Sequence, residues 1–227
     1  MRGFVKEVFT SIQGEGIKVG QRQTFVRMLG CNLACDYCDT PDAQKQRGPF
    51  VYQNTAQENP IDVDTLLDTI TESEVAITGG EPLLQVDFLE IFCARLRQSS
   101  RKIYLDTNGS LPRELEQIIE YVDTIALDFK IPSVTGERPL WSEHRECLQI
   151  AAMKEVFVKM VIDENLASYE LLTSCDIIKN VNKNIPLVIQ PVCGHNVSDL
   201  LKIQKTALSV LTDVRIIPQI HKYLNLP

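Results

Sequence analysis

From residue 74 onward, strand-length apolar runs alternate with helix-length segments, and that alternation restricts the fold more than any other feature. Residues 74–78, 102–106, 124–130, 156–162, 186–191 and 214–218 are short and rich in Val, Ile and Leu, as buried strands are. The segments between them have helical character. Apolar positions 84, 88, 89, 92 and 96 mark one, and Pro112 starts another that runs to about 121. Residues 143–152, about 166–179, and 198 to about 211 supply the rest, the last opened by Ser198. Strands joined through helices pair in parallel, because a parallel neighbour is reached by a crossover. The expected class is therefore α/β, an open sheet or a partial (incomplete) parallel β/α barrel with about six core strands. Upstream, 3–9 and 23–29 read as further strands and 61–70 as an amphipathic helix. Stretches 41–60 and 131–141 read as loops inserted into one domain spanning 1–227.

In such sheets ligands collect beyond the carboxyl ends of the strands. The chemically suggestive groups all fall there: Cys31–Cys38, Gly79–Glu81, Asp106–Asn108, Asp128–Lys130 and Gln190. Taken singly, each strand-end polar group is as readily a solvated residue. Their convergence predicts one composite site. The glycine-rich loop 10–16, with Gln13 and Glu15 between its glycines, reads locally as a turn.

Cys31, Cys35 and Cys38 are spaced by three and then two residues in the loop after 23–29. Three thiolates so close can hold one metal centre but leave it short of a ligand. An iron–sulfur cube ordinarily takes four, so a cube on three keeps one iron open to an exogenous group. A structural zinc site would want a further ligand pair. The other cysteines (93, 147, 175, 193) and the histidines (144, 195, 221) stand singly. Zinc or a redox thiol remains the competing reading of the spacing.

Composition narrows the partners. A net charge of −7 argues against nucleic acid, whose phosphates call for clustered Lys and Arg. No segment approaches the length of a membrane span, and the first residues lack the apolar core of a signal peptide. An odd count of seven cysteines suits a reducing compartment, so the cytoplasm is expected.

Cys31-x-x-x-Cys35-x-Tyr37-Cys38 followed by Gly79-Gly-Glu-Pro82 resembles the radical S-adenosylmethionine superfamily. The resemblance implies a [4Fe–4S] cluster on the three cysteines, with S-adenosylmethionine on the fourth iron as the source of a 5′-deoxyadenosyl radical. It implies cofactor contacts from Tyr37, Cys38, Asp39, Gly79, Gly80, Glu81, Asp106, Asn108, Asp128, Phe129, Lys130, Gln190, Pro191, Val192 and Cys193. The glycines are expected to admit the methionine amine to the backbone, and Cys193 to be a buried, inert thiol. Phe9–Gly16, Thr24–Arg27, Gly30–Leu33, Cys38–Thr40, Thr78–Gln85, Thr107–Gly109, Gln190–Pro191 and His221–Tyr223 are together similar to the 7-carboxy-7-deazaguanine synthases. That closer resemblance implies ring contraction of 6-carboxy-5,6,7,8-tetrahydropterin with loss of ammonia. It also implies Mg²⁺ on Thr40, an electron donor such as flavodoxin or ferredoxin, and a homodimer. Substrate contacts would come from Ile12, Gln13, Gly14, Glu15, Arg27, Thr78, His221 and the carboxylate of Pro227.

Plainer roles compete with these. Arg27 could pair with a surface acid, Thr40 cap a helix, and His221 face solvent. An activase that installs a glycyl radical in a partner protein would share the cysteine and Gly-Gly-Glu-Pro motifs but has no need of Gln13, Glu15, Arg27 and Thr40 together. An electron carrier, or a zinc-stabilised binding module, would need its metal fully ligated by protein.

Overall fold

The computed structural model describes residues 1–227. Its strands are β1 (Arg2–Gly3), β2 (Val5–Ile12), β3 (Arg22–Met28), β4 (Phe50–Tyr52), β5 (Thr55–Gln57), β6 (Ile61–Asp62), β7 (Glu74–Gly79), β8 (Lys102–Thr107), β9 (Thr124–Asp128), β10 (Glu155–Ile162), β11 (Leu187–Pro191) and β12 (Val214–Ile216). Its helices are α1 (Val63–Leu67), α2 (Val86–Gln98), α3 (Pro112–Ile118), α4 (Pro132–Thr135), α5 (Trp141–Ala151), α6 (Ser168–Asn182), α7 (Leu200–Leu208) and α8 (Ile220–Tyr223). Ten strands form one sheet in the order β12-β11-β10-β9-β8-β7-β3-β2-β4-β5, and β1 pairs with β6 apart from it. From β3 to β12 every neighbouring pair is parallel. The two ends of the sheet do not pair with each other, so the barrel is incomplete, as the alternation predicts.

Period-two alternation gives the sheet two unlike faces. One face carries Val75, Ile77, Ile103, Leu105, Ile125, Leu127, Val158, Met160, Leu187 and Ile189 into the main core, where helix residues such as Phe88, Phe92, Leu148 and Ile178 cover them. The other face holds a small cluster of Ala76, Tyr104, Ala126, Phe157 and Val188, with Ile17 and Phe25 against it. One alternation step beyond that cluster stand Arg27, Thr78, Asp106, Asp128, Lys159 and Gln190, each two residues after an apolar inner neighbour on its strand. Register staggers these positions: Asp106 lies opposite Ala126, whereas Asp128 lies opposite Lys159. Such stagger accompanies curvature towards a barrel.

The structure corrects several boundaries. Residues 41–60, expected to be irregular, contain a 3-10 turn (Pro41–Gln44) and the hairpin β4–β5, which extends the sheet beside β2. The hairpin turns on Gln53 and Asn54, both with positive φ (49° and 60°), which suits a two-residue connection. The helix expected over 61–70 shrinks to α1, because Ile61 and Asp62 pair with β1 and Asp62 accepts from the Thr65 N–H at 3.0 Å. Within 131–141 lies the short helix α4. Helix α7 begins at Leu200, and Asp199, with φ 59°, stands before it where Ser198 was expected to cap.

Gln85 fastens the N-terminal segment to the end of β3. Its side-chain oxygen accepts from the Phe4 N–H at 2.7 Å, and its amide donates to the Phe4 and Leu29 carbonyls, both at 2.9 Å. Gln85→Ala is expected to destabilise the protein by about 2–3 kcal/mol, since backbone groups are left unpaired. The half-exposed neighbour variant Leu84→Ala should cost under about 0.5 kcal/mol. Denaturant midpoints read the difference, and equal losses would show that the clasp contributes nothing.

Candidate functional site

A cleft of about 460 Å³ opens at the carboxyl ends of the parallel strands, within the usual size for a small-molecule site. Cys31, Cys35 and Cys38 line one side, the inner ring of polar residues forms the floor, and the 12–15 loop and C-terminal tail close the far side. The structure thus brings together Cys31, Cys35, Cys38, Tyr37, Asp39, Thr40, Gly79, Gly80, Asp106, Asn108, Asp128, Lys130, Gln190, Val192, Ile12, Gln13, Gly14, Glu15, Arg27, Thr78, His221 and Pro227.

The cysteine loop is held from three directions. Gly79 and Gly80 lie against β3 so closely that a Cβ on Gly80 would overlap the Gly30 carbonyl oxygen, and one on Gly79 the Met28 backbone. Gly79 also has φ 138°, a conformation rare for other residues. The chain's own packing therefore requires these glycines, and both also line the cleft. The Glu81 N–H then donates to the Gly30 carbonyl at 2.7 Å. Both loops that sequence left without a role take part. Ala43 accepts from the Gly30 N–H at 2.8 Å, Thr135 accepts from the Asp36 N–H at 3.0 Å, and Glu137 accepts from the Ala34 N–H.

The three thiols are free and half-buried. Burial pushes Cys35 up to about 11 and raises Cys31 as well, with Lys130 opposing both rises. A bound cation would favour their thiolates. Lys130 sits 5.3 Å from the Tyr37 ring centroid, donates to the Tyr37 hydroxyl at 3.2 Å, and pairs with Asp128 at 2.8 Å.

Charge is concentrated on the floor. Lys159, almost wholly buried, meets Glu15 at 2.8 Å and Asp106 and Asp128 at 3.3 Å each. Burial disfavours its charge, yet Asp106, Glu15 and Asp128 hold its pKa well above the usual lysine value. Glu15 and Asp128 resist the same penalty and titrate low, Glu15 through Lys159 and Asp128 through Lys130 and Lys159. Asp106 is raised, because burial and its acidic neighbours outweigh Lys159.

The tail reaches in from the opposite end of the chain. Gln219 donates to Glu15 at 2.8 Å and to Asp39 at 3.0 Å, and Lys222 pairs with Asp39 at 3.0 Å. Burial opposes the Asp39 charge, but Lys222, Gln219 and Thr40 hold it well below the usual range. His221 packs against Gly14 and is lowered by burial. Thr40 occupies the position before the 3-10 turn without capping it, and its hydroxyl donates to Asp39 at 2.9 Å. Arg27 uses Nε on Glu7 at 2.8 Å and lies 5.5 Å from the Phe9 ring centroid; no hydrogen bond engages its terminal nitrogens.

Four expected contacts do not line the cleft. Glu81 is fully buried beneath it, accepting from the Leu83 N–H, the Thr107 hydroxyl and the Asn108 N–H at 3.0, 2.8 and 2.7 Å. Phe129 stacks on His144 at 4.5 Å in the core. Pro191 is half-buried away from the lining. Cys193 is exposed, not a buried thiol. Sequence reasoning missed Lys159, Gln219 and Lys222. For Lys159 the signal was present: one lysine inside an otherwise apolar strand needs a buried partner.

The residues present fit the implied groups. Three free thiols in one loop suit a cube with an open iron. Buried Asp128 Oδ1 and Gln190 Oε1 have no partner and line the same cleft, as acceptors for ligand hydroxyl or amine groups would. Ligand atoms of Glu15, Asp39 and His221 lie within 4.8 Å of one another; the two carboxylates, and the Thr40 hydroxyl next to Asp39, are oxygen donors of the kind Mg²⁺ takes.

A model of the Radical SAM superfamily matches residues 25–163. The 7-carboxy-7-deazaguanine synthase of Geobacter sulfurreducens is 37% identical, covering 97% of this chain and 96% of its own. The enzyme of the same name from Archaeoglobus fulgidus is 34% identical over 99% of both chains. Among solved structures, QueE from Escherichia coli superposes with a TM-score of 0.67 over 97% of this chain and 95% of that one, at 18% identity. TYW1 with a lysine-pyruvate adduct bound gives 0.54 over 83% and 73%, at 14% identity. At those identities the structural likeness concerns the fold.

Burial raises the Glu81 carboxyl to about 7, against the pull of its three donors. A folded value above the unfolded one means that the folded state binds more protons between about 4.5 and 7. Its stabilisation is then full below about 4.5 and is lost as pH rises through about 7, of order 3 kcal/mol. The stability of the wild type relative to Glu81→Gln should fall from pH 5 to pH 8 in denaturant titrations. A difference that stays flat would contradict this account.

Proposed function

This chain belongs to the 7-carboxy-7-deazaguanine synthases of the radical SAM superfamily, and from that premise we propose how its cleft performs the reaction. The protein converts 6-carboxy-5,6,7,8-tetrahydropterin to 7-carboxy-7-deazaguanine with loss of ammonia, a step towards queuosine and related deazapurines. The glycyl-radical activase reading is not favoured. The observation that carries the assignment is a single cleft in which three free thiols face a polar floor and an arginine with unengaged terminal nitrogens.

Cys31, Cys35 and Cys38 would hold the [4Fe–4S] cluster, which when bound would supply the low-potential electron for reductive cleavage of S-adenosylmethionine. Asp128 and Gln190 present unpaired acceptors to the cofactor, while Asp106 and Asn108 stand at the neighbouring strand end. Tyr37 is fixed beside them by Lys130. Arg27 offers its terminal N–H groups to the substrate carboxylate, whose planar geometry a guanidinium matches. Gln13 donates to Gln23 at 3.1 Å and accepts from the Glu15 N–H at 3.1 Å, which stiffens the 12–15 loop against the pterin. Thr78, His221 and Pro227 complete the substrate side. Thr40, with Asp39 at its hydroxyl, offers Mg²⁺ a hard oxygen ligand.

The continuous sheet supports reading 1–227 as one radical SAM domain. No helix is long and apolar enough to cross a membrane, and seven unpaired cysteines suit a reducing cytoplasm. A flavodoxin or ferredoxin as electron donor and a homodimeric state are proposed from family membership alone.

Anaerobic reconstitution with iron and sulfide, followed by S-adenosylmethionine, reductant, Mg²⁺ and the carboxytetrahydropterin, should yield a product lighter by one ammonia in mass spectrometry. A product of unchanged mass would sink the reading. Thr40→Ala should lose Mg²⁺ dependence and at least about tenfold in kcat/KM. Cys93→Ala, in the core of α2, should keep both. Identical responses would remove Thr40 from the metal site.

A further inference from the structure

Three carboxylates from three separate elements meet one ammonium on the cleft floor. Lys159 Nζ lies 2.8 Å from Glu15 Oε2, 3.3 Å from both oxygens of Asp106, and 3.3 Å from Asp128 Oδ2. The acids are not equivalent. Asp128 has a second cation in Lys130, and Glu15 has the Gln219 amide on its other oxygen. Asp106 has no other cation, only the Thr78 hydroxyl at 3.5 Å. Glu15 belongs to the loop that faces the pterin, whereas Asp106 and Asp128 belong to the strand ends that face S-adenosylmethionine. Lys159 is thus the group both halves of the cleft share.

We propose that Lys159 is a positioning residue that couples the two halves, holding Glu15 for the pterin and Asp106 and Asp128 for S-adenosylmethionine, so that each ligand strengthens the binding of the other. The inference rests on the function proposed above and deepens it. An ammonium has three N–H donors, and here they are divided among four carboxylate oxygens. Its position is therefore a compromise that any one acid can shift. A ligand that engages Asp128 through the unpaired Oδ1 fixes that acid, and with it the ammonium and Glu15. The second ligand then meets a floor already ordered, and the ordering cost falls on the first alone. A lysine that merely neutralised buried acids would produce no such linkage.

The test uses the reconstituted protein without reductant, so that both ligands bind and neither reacts. Calorimetric titration gives the affinity for S-adenosylmethionine and for the carboxytetrahydropterin, each alone and in the presence of the other. In the wild type each ligand should tighten the other about fivefold or more, by the same factor in both directions. Lys159→Met should weaken each ligand about tenfold and bring the coupling within about twofold of none. Lys159→Arg, which keeps the charge and several donors, should restore part of the coupling. If Lys159→Met does not fold, Lys159→Gln, a shorter neutral side chain that keeps two N–H donors, is read in the same way. Undiminished coupling in the neutral variant, or no coupling in the wild type, overturns the proposal. A wild type that binds S-adenosylmethionine but not the pterin refutes the substrate assignment and with it the coupling.

Discussion

Five side chains close the inside of the sheet from below, and the groups placed at the ligand stand one alternation step above them. Ala76, Tyr104, Ala126, Phe157 and Val188 form this plug, and Thr78, Asp106, Asp128, Lys159 and Gln190 follow two residues later on the same strands. Because side chains on a strand change face at every residue, the polar set inherits its direction from the apolar set. Helix packing on the opposite face fixes the same phase a second time, through Ile77, Leu105, Leu127, Val158 and Ile189. A one-residue slip in any of these strands would turn a floor residue into the core and a leucine, isoleucine or valine into the cleft. Chemistry and stability thus depend on one register.

The cysteine loop lies outside this pattern and needs its own support. It leaves β3 where β3 runs closest to β7, at the point where the two glycines remove every side chain between the backbones. Glu81 lies just beyond, and its carboxylate gathers the Thr107 hydroxyl and the Asn108 N–H from the end of β8. The Gly-Gly-Glu-Pro segment therefore sets two neighbouring strand ends at a common height. Asn32 and Asn108 continue the connection at 3.0 Å, and Asn32 donates to Ser110 at 2.9 Å. Contacts from Ala43, Thr135 and Glu137 complete a frame in which the loop backbone is held while the three cysteines form no disulfide, Cys31 Sγ accepting only from the Leu33 N–H at 3.5 Å.

The α/β class and the gathering of motifs at strand ends were legible because periodicity and topology suffice to derive both. Lys159 was legible in principle, as a charge inside an apolar run, but nothing local names its partners, since Glu15 lies 144 positions away. Glu81 was expected at the cofactor because the Gly-Gly-Glu-Pro resemblance implies it; whether an acid beside a site points into it or beneath it is decided by packing, and here the Thr107 and Asn108 donors draw it down. The hairpin β4–β5 was hidden by its polar second strand, Thr55–Gln57, which is exposed on every residue and carries no alternation to read. Gln219 and Lys222 were passed over because the final segment has no period that reveals which side meets the cleft.

Sequence distance at the site also bears on how it forms. Glu15 is joined to Gln219 across 204 positions and Asp39 to Gln219 across 180, with most of the parallel sheet between them in the sequence. Contacts of such separation are entropically costly to form early. The residues that bring them together are charged or strongly polar, and exposed pairs of this type contribute little stability by themselves. Of these groups only Gln219 is buried, and its amide bridges Glu15 and Asp39, whereas the Lys222–Asp39 pair is half-exposed and screened. The tail is thus held by a buried amide, a half-exposed ion pair and the Ile220 N–H, which donates to the Gly14 carbonyl at 2.9 Å. Being polar and partly exposed, the tail's contacts are the ones at the site that a ligand can most readily reorder.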